Sequence, residues 1–487
     1  MVIFFIFILR IGLGKNVVNK IFKIVMIFIP KIIHQLWIGP RACPAMQMNT
    51  WREKHPEFLY IFWNENEIAK RNFKFECQDK IDEIEEWCGK ADIIRYEILY
   101  KYGGVFIDAD SICLEPIDNL MEDIFAFAGY ENEYAQKGLI ANGTMGFVPN
   151  HPLCRAAIDW IKANDVTRAK TGKMPWQLTG PTLLTNLINK GIYDIKVYPS
   201  HYFYPVHHTG RVYYGHDRVY SHQEWGSTFH KYDDRISLPD HLLEPKFWVS
   251  ILVCSYNTRG EYLRECLDSI RAQVGHFGME LIWVDDGSGE EYREVLGREL
   301  DNFMRNVRFV RLFCHRNLEN RNVGYSLNLG VKLCSNELIM RMDSDDIMVV
   351  DRVEKQIDFM RNNSDCVMCG GGIRFFGEMS QDILHRYEIT LDDYRESRSL
   401  WIMNHPTLCF RRGAILEVGN YNVYNEGNFE DLELELRVLR RYGKLYNLQD
   451  ILLNYRIHKG QVTNGGKFNT VYWQDKKYEM IDSIINS

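Results

Sequence analysis

Two acidic turns, Asp108-Ala109-Asp110 and Asp343-Ser344-Asp345, lie in different halves of the chain, each directly after an apolar run with β-strand character. Residues two apart in an extended segment point to the same side. Two carboxylates held about 4 Å apart repel by about 4 kcal/mol at an effective dielectric near ~20. Such a pair at a strand end calls for a cation, and a hard divalent ion fits best. An ion of that kind, bridging carboxylates to a diphosphate, is what moving a sugar from a nucleotide-sugar requires. The two turns therefore predict two sugar-transfer modules in tandem.

The elements needed to position them are legible. At 487 residues the chain exceeds one ordinary core and suits two domains. Ile32 to Trp37 and Leu59 to Trp63 read as strands, and Ala91 to Tyr102 has helical spacing that Gly103-Gly104 stops before Val105 to Ile107. Helices are expected at Pro152 to Ala163 and Thr182 to Asn189. Residues 233–246 read as a linker, after which strands Val249 to Cys254, Glu280 to Val284, Val307 to Leu312 and Leu338 to Met342 alternate with helices Glu261 to Gln273, Glu290 to Met304, Gly324 to Cys334 and Val350 to Arg361. Alternation of this kind means an α/β fold of mostly parallel sheets flanked by helices, with ligands beyond the carboxyl ends of the strands.

In the second half four groups of residues point to one chemistry. Val253 to Asn257, including Tyr256, closes one strand, Asp285-Asp286-Gly287 the next, and Asp343 to Asp346 a third; Glu430-Asp431 precedes an amphipathic helix. In this order and spacing they resemble glycosyltransferase family 2, an inverting family with the GT-A fold, over about Trp248 to Thr463. The resemblance implies nucleotide-sugar contacts at Tyr256 and Asp286, ribose or metal at Asp343, metal at Asp345, and a base from Glu430 and Asp431 in which Asp431 takes the acceptor's proton. Tyr455-Arg456-Ile457-His458 is similar to a late motif of that family in which His458 meets the metal or diphosphate, and Asn404-His405 is expected to border the acceptor.

In the first half Asp92 and Arg95 fall one helical turn apart, so Asp92 can hold Arg95 while its planar fork faces a diphosphate. Together with Asp108-Ala109-Asp110 this set resembles the DXD-containing sugar transferases related to initiating α-mannosyltransferases of yeast, a retaining GT-A group, over about Ile29 to Trp225. The resemblance implies metal and nucleotide-sugar binding by Asp108 and Asp110, donor contacts at Asp92 and Arg95, a metal-binding His222 near Trp225, and donor or acceptor contacts at Asn142 and Gly180-Pro181. His207-His208 looks like a metal pair, but adjacent residues rarely share one ion, so these two are read as loop histidines. Trp37 and Trp63 are read as core.

Composition sets the remaining bounds. A net charge of -7 argues against nucleic-acid coating. The 12 scattered cysteines read as reduced thiols, and the Cys366/Cys369 pair, placed on opposite faces of one strand, as no zinc site. In the N-terminal apolar segment over residues 1–28 the runs Val2 to Leu9 and Ile24 to Ile29 are each too short to span a bilayer, which favours a cytoplasmic protein while leaving membrane association through that segment open. The domains expected are thus 29–232, of the retaining type, and 247–487, of the inverting type, each with one Mn2+ or Mg2+ and a UDP- or GDP-sugar donor, adding sugars to a glycan, glycolipid or glycoprotein. Two alternatives stay open: one half as a glycan-binding scaffold, and a sugar-phosphate nucleotidylyltransferase. For the latter, Ser255 to Gly260 is a poor phosphate loop.

Overall fold

Short strands, the central ones buried on both faces, alternate with helices in each half of the chain, and each half gathers its own sheet. The computed structural model describes residues 28–229, 235–423, 429–458 and 471–486. Two units form, one from residues up to Tyr213 with Val219–Leu238, the other from Tyr214–Arg218 with the chain from Pro239 onward.

The first unit carries strands β1 (Ile32–Leu36), β2 (Leu59–Trp63), β3 (Gly104–Ile107), β4 (Ser111–Cys113), β5 (Ala126–Asn132), β6 (Gln136–Phe147), β7 (Lys196–Tyr198) and β8 (Ser221–Gln223). Its main sheet runs β2-β1-β3-β6-β5-β7, with a separate β4-β8 ribbon. β1 pairs in parallel with β2 and β3, and β6 then runs antiparallel to β3 and β5. The sheet is therefore mixed: β3 is parallel to β1 and antiparallel to β6, and parallel pairing returns at β5-β7. β3 is buried along its whole length, as a strand covered on both faces must be.

Gly103 and Gly104 do more than stop the preceding helix, Trp87–Tyr102. Both adopt positive φ, +63° and +90°, and a Cβ on Gly104 would lie 2.7 Å from the Ile32 carbonyl oxygen. Only glycine lets β3 come this close to β1. His34 seals the junction, its Nε2 2.9 Å from the Gly103 carbonyl and its Nδ1 accepting the Trp63 indole N–H at 3.0 Å. Burial holds its pKa down to about 4, so it stays neutral. Trp63 is core, while Trp37 is half-buried and donates to the Arg41 carbonyl.

The second unit holds β9 (Trp248–Ser255), β10 (Gly278–Asp285), β11 (Val310–Arg316), β12 (Leu338–Asp343), β13 (Ile347–Met348), β14 (Met368–Gly377), β15 (Asp382–Ile383), β16 (Glu388–Thr390), β17 (Cys409–Arg411) and β18 (Lys444–Ile457). The sheet order is β11-β10-β9-β12-β17-β14-β18-β13. β9 pairs in parallel with β10 on one side and β12 on the other, so strand order reverses at β9 and a crevice opens at the carboxyl ends. Here too antiparallel pairing takes over beyond the parallel block, at β12-β17 and β17-β14. Helices Gly260–Arg271, Glu290–Arg305, Val323–Leu333 and Arg352–Asn362 supply the connections.

Several expectations shift. The helix before Gly103 begins at Trp87, four residues ahead of Ala91. The strand expected at Val307 to Leu312 is Val310–Arg316, because Val307 is taken up in a bridge to Asp217. That bridge also draws 214–218 into the second unit, where His216 contacts the carbonyls of Gln273 and Phe277. The stretch read as linker belongs to the second unit from Pro239 on, with His241 and Leu242 buried; residues 230–234 lie outside the described part. Cys366 precedes β14 rather than alternating within it, so its thiol meets that of Cys369, which in turn meets Cys409. Among the described residues no helix is long and apolar enough to cross a membrane; the apolar segment up to residue 27 lies outside them.

Two helical glycines give a paired test of this packing. A Cβ on Gly297 meets nothing within 4 Å, whereas one on Gly330 would fall 2.3 Å from Cδ1 of the fully buried Leu252. Gly297→Ala should stabilise the second unit by about 0.5–1 kcal/mol through helix propensity. Gly330→Ala should destabilise it, since overpacking costs about 1–3 kcal/mol and exceeds the same propensity gain. Urea midpoints of the two variants measure this, and a stabilised Gly330→Ala would show that helix Val323–Leu333 does not press on β9 as described.

Candidate functional site

In the first unit β3 delivers Asp108 and Asp110 at its carboxyl end, and helix Trp87–Tyr102 delivers Asp92 and Arg95 beneath them. Arg95 is 4% exposed, and its Nη2 lies between two carboxylates, 3.0 Å from Asp108 Oδ1 and 3.3 Å from Asp92 Oδ1. Its Nη1 donates to the Asn142 carbonyl at 2.5 Å and the plane covers Phe106. Asp92 is held from the other side by Asn142 Nδ2 at 2.8 Å and Thr179 Oγ1 at 3.3 Å. Asp110 accepts from Gln223 Nε2 at 2.6 Å and from the Gly226 N–H at 2.7 Å.

This cluster carries more carboxylates than cations. Burial pushes Asp92 up to about 6, and burial together with the neighbouring Asp108 charge pushes Asp110 up to about 6. Asp108 is also raised by burial, against the pull of Arg95. Room is kept beside it, since a Cβ on Gly143 would sit 2.6 Å from Asp108 Oδ2. A divalent cation suits a site built this way.

In the second unit the ends of β10, β9 and β12 lie level, Asp285 opposite Ser255 and Asp343 opposite Cys254. Asp343 receives a two-pronged bond from buried Arg341, Nη1 to Oδ2 at 2.9 Å and Nη2 to Oδ1 at 2.5 Å. Arg341 rests in turn on Arg352, fully buried, which donates to the Arg341 carbonyl at 2.7 Å and the Pro406 carbonyl at 3.1 Å. Burial lowers Arg352 to about 10. Asp345 Oδ2 pairs with His458 Nε2 at 2.9 Å. Asp346, fully buried, accepts the Arg456 N–H on Oδ1 at 2.9 Å, while Oδ2 has no hydrogen-bond partner among the described residues. Its pKa is raised well above the ordinary carboxylate value by burial and by Asp343 and Asp345. An orphaned buried carboxylate oxygen behind two more aspartates fits a bound cation.

Asp286 is shaped for recognition: Asn317 Nδ2 (2.6 Å), Ser326 Oγ (2.9 Å) and the Arg321 N–H (3.0 Å) all converge on its Oδ1 and fix the carboxylate plane. Tyr256 stands half exposed above the end of β9. Glu430 and Asp431 occupy the first turn of helix Glu430–Tyr442, where the positive helix end favours acidic groups. Burial, then the Asp431 charge, nevertheless raises Glu430 to about 7. Asp431 and Asp345 both raise Asp343, so the acidic pair acts electrostatically on the same locus as the acidic turn.

The structure gives several predicted residues definite partners. Arg95 directs its donors to Asp92, Asp108 and Asn142 and holds Asp108 from below. Asn142 bonds Asp92, and Gly180 packs against it, a Cβ there falling 2.7 Å from Asp92 Oδ2. At Asp110 a side-chain contact comes from Gln223, and His222 precedes it on β8, on the opposite face of the strand. Asn404 is a core residue bonded to the Gly371 carbonyl and His385, and His405 pairs with Tyr421. Sequence reading missed Arg341, although its place two residues before Asp343 on one strand face signals it. Asp346 carried no separate signal, and Gln223 and Gly226 reach Asp110 only through the fold.

Comparison with known proteins agrees with this geometry. The Glycosyl transferase family 2 pattern matches residues 250–419, and the glycosyltransferase sugar-binding region containing the DXD motif matches residues 45–126. The Saccharomyces cerevisiae mannosyl phosphorylinositol ceramide synthase SUR1 is 35% identical over 144 residues, 28% of this chain and 36% of that protein, so little more than a third of that relative is spanned. Among solved structures, Staphylococcus aureus TarS 1-349 with UDP-GlcNAc aligns at a TM-score of 0.38 and 17% identity over 49% of this chain and 72% of that one. The Escherichia coli O-antigen biosynthesis glycosyltransferase WbnJ is 32% identical, the match covering 41% of this chain and 75% of that protein. The likeness to WbnJ, with the family pattern across β9 to β17, places this chain in glycosyltransferase family 2.

Proposed function

We propose that this glycosyltransferase is bifunctional, with a retaining site in the first unit and an inverting site in the second, each dependent on a divalent cation. The observation that carries the reading is a shared construction: in both units a buried arginine grips the first aspartate of an Asp-x-Asp turn at a strand end, Arg95 on Asp108 and Arg341 on Asp343. Each grip fixes a carboxylate without neutralising the cluster around it. Asp108 and Asp110 in one site, and Asp343 and Asp345 in the other, would hold Mn2+ or Mg2+, with His458 beside Asp345. When bound, the ion offsets charge on a departing nucleoside diphosphate.

The remaining roles fall to the chain's own groups. Asp286, planar and fixed, receives a base N–H of the UDP or GDP moiety, and Tyr256 covers the nucleotide. Asp431 takes the proton from the acceptor hydroxyl on the face opposite the leaving group, and Glu430, deprotonating near pH 7, tunes that step. The acceptor is a glycan, glycolipid or glycoprotein. Tethering the two sites raises the local concentration of the first product at the second.

Separate substitutions test the two sites. Asp110→Asn should cut one transfer by about 100-fold or more and leave the other intact, and Asp345→Asn should do the reverse. Transfer from UDP- and GDP-sugars with Mn2+ is the measurement; a silent Asp110→Asn would reduce the first unit to a scaffold.

The pH profile tests the base. Glu430 is raised, so it is protonated below about pH 7 and charged above it, and the second transfer should climb with pH through an inflection near 7. Glu430→Gln should remove that inflection, and Asp431→Asn should cost about 10²–10⁴-fold in rate. An inflection that persists in Glu430→Gln refutes the assignment.

A further inference from the structure

Away from the acidic turns, the first unit gathers a second set of metal-type ligands. Glu131, His207 and His208 each place one ligand atom within 4.8 Å of the other two. His207 Nε2 lies 3.2 Å and His208 Nε2 3.8 Å from the same Glu131 Oε1. Four-coordinate zinc with bonds of about 2.0–2.1 Å separates its ligand atoms by about 3.3 Å, which the His207–Glu131 pair matches and the His208–Glu131 pair approaches. We propose that Glu131, His207 and His208 bind a divalent transition-metal ion of the zinc class, separate from the cation of the Asp108/Asp110 turn.

The sequence reading set these histidines aside because adjacent residues rarely share one ion. A tight turn overcomes that: the His207 N–H donates to the Arg211 carbonyl at 2.8 Å and the Gly210 N–H to the His207 carbonyl at 2.9 Å, and the two imidazoles fold onto each other with ring centres 4.1 Å apart. His207 Nδ1 is held by Thr209 Oγ1 at 2.8 Å, the outer contact that orients a ligating imidazole and leaves Nε2 for the ion. Glu131 comes from β5 and is buried, as is His207, while the His208 side chain is 27% exposed and leaves an approach open. Two imidazoles and a carboxylate select zinc or a similar ion over magnesium or calcium.

The site has a structural output. Both imidazoles pack edge-on against the Trp225 indole, at 5.4 and 5.1 Å, and Trp225 Nε1 donates to the Val206 carbonyl at 2.9 Å. Trp225 sits at positive φ, +56°, and the next residue, Gly226, donates to Asp110. An ion at Glu131, His207 and His208 therefore ties down the turn on which Trp225 rests, one residue from an Asp110 contact.

Cobalt titration of the chelator-treated full chain tests the proposal, because Co2+ held by nitrogen and carboxylate ligands absorbs in the visible. Wild type should show a saturable band at one equivalent, retained in Asp110→Asn. His208→Ala, at a partly exposed position, and the shape-preserving Glu131→Gln should each lose the band or weaken Co2+ affinity at least tenfold. Zinc should raise the thermal midpoint of wild type and not that of His208→Ala. No saturable band in wild type, a band unchanged in both His208→Ala and Glu131→Gln, or one abolished by Asp110→Asn would overturn it.

Discussion

A buried guanidinium under a strand-end carboxylate is the constraint on which both sites depend. Arg95 and Arg341 are each sealed from solvent, and removing the partner of a buried charge costs about 3–5 kcal/mol. Neither Asp108 nor Asp343 can swing away without exposing that cost, so each acidic turn is fixed before any ligand arrives. The arginine does not discharge the site. Asp92 and Asp110 remain around Arg95, and Asp345 and Asp346 beyond Arg341, so each cluster keeps an excess of carboxylates that burial drives toward protonation or toward a cation.

The sheets bring these charges to one place. In the second unit β9 is the strand where order reverses, and its neighbours end level with it, so Asp286, just past the end of β10, and Asp343 face one crevice. In the first unit the same end is reached by a different device: two glycines at positive φ allow β3 to lie against β1, and neutral His34 closes the gap above them. Arg352 extends the logic downward, since a second buried arginine bonded to the Arg341 carbonyl stiffens the strand from which the clamp projects. Core packing and site geometry are thus one network of hydrogen bonds.

What could be read from sequence follows from how local each signal is. The strand-helix alternation, the helix stop at Gly103 and both Asp-x-Asp turns are local patterns, and the elements fall close to where spacing puts them. The pairing of Arg95 with Asp92 is equally local, one helical turn, although spacing could not tell that the guanidinium would be buried between Asp92 and Asp108. Gln223 and Gly226 approach Asp110 from more than a hundred residues away, so no local pattern names them. For His207 and His208 the argument against adjacent ligands assumes an extended backbone, whereas the turn at Thr209-Gly210 folds both rings toward Glu131, a proximity that no local pattern shows. Cys366 likewise escaped the strand that would have separated it from Cys369.

The two sites share a clamp but differ in what else reaches it, and that difference bears on the proposed stereochemistry. Inversion needs a base free to meet the acceptor hydroxyl. In the second unit Glu430 and Asp431 lie at the start of a helix, within electrostatic range of Asp343, and Glu430 changes charge near neutrality. In the first unit the carboxylate beside the clamp is Asp92, and it is closed off: Arg95 and Asn142 occupy Oδ1, Thr179 bonds Oδ2, and Gly180 presses so near that even a methyl group would collide. An acceptor cannot reach a carboxylate packed in this way. Asp92 is tied to Arg95, and under the proposed reading a site whose extra carboxylate is packed in this way suits retention as the pair at Glu430 and Asp431 suits inversion.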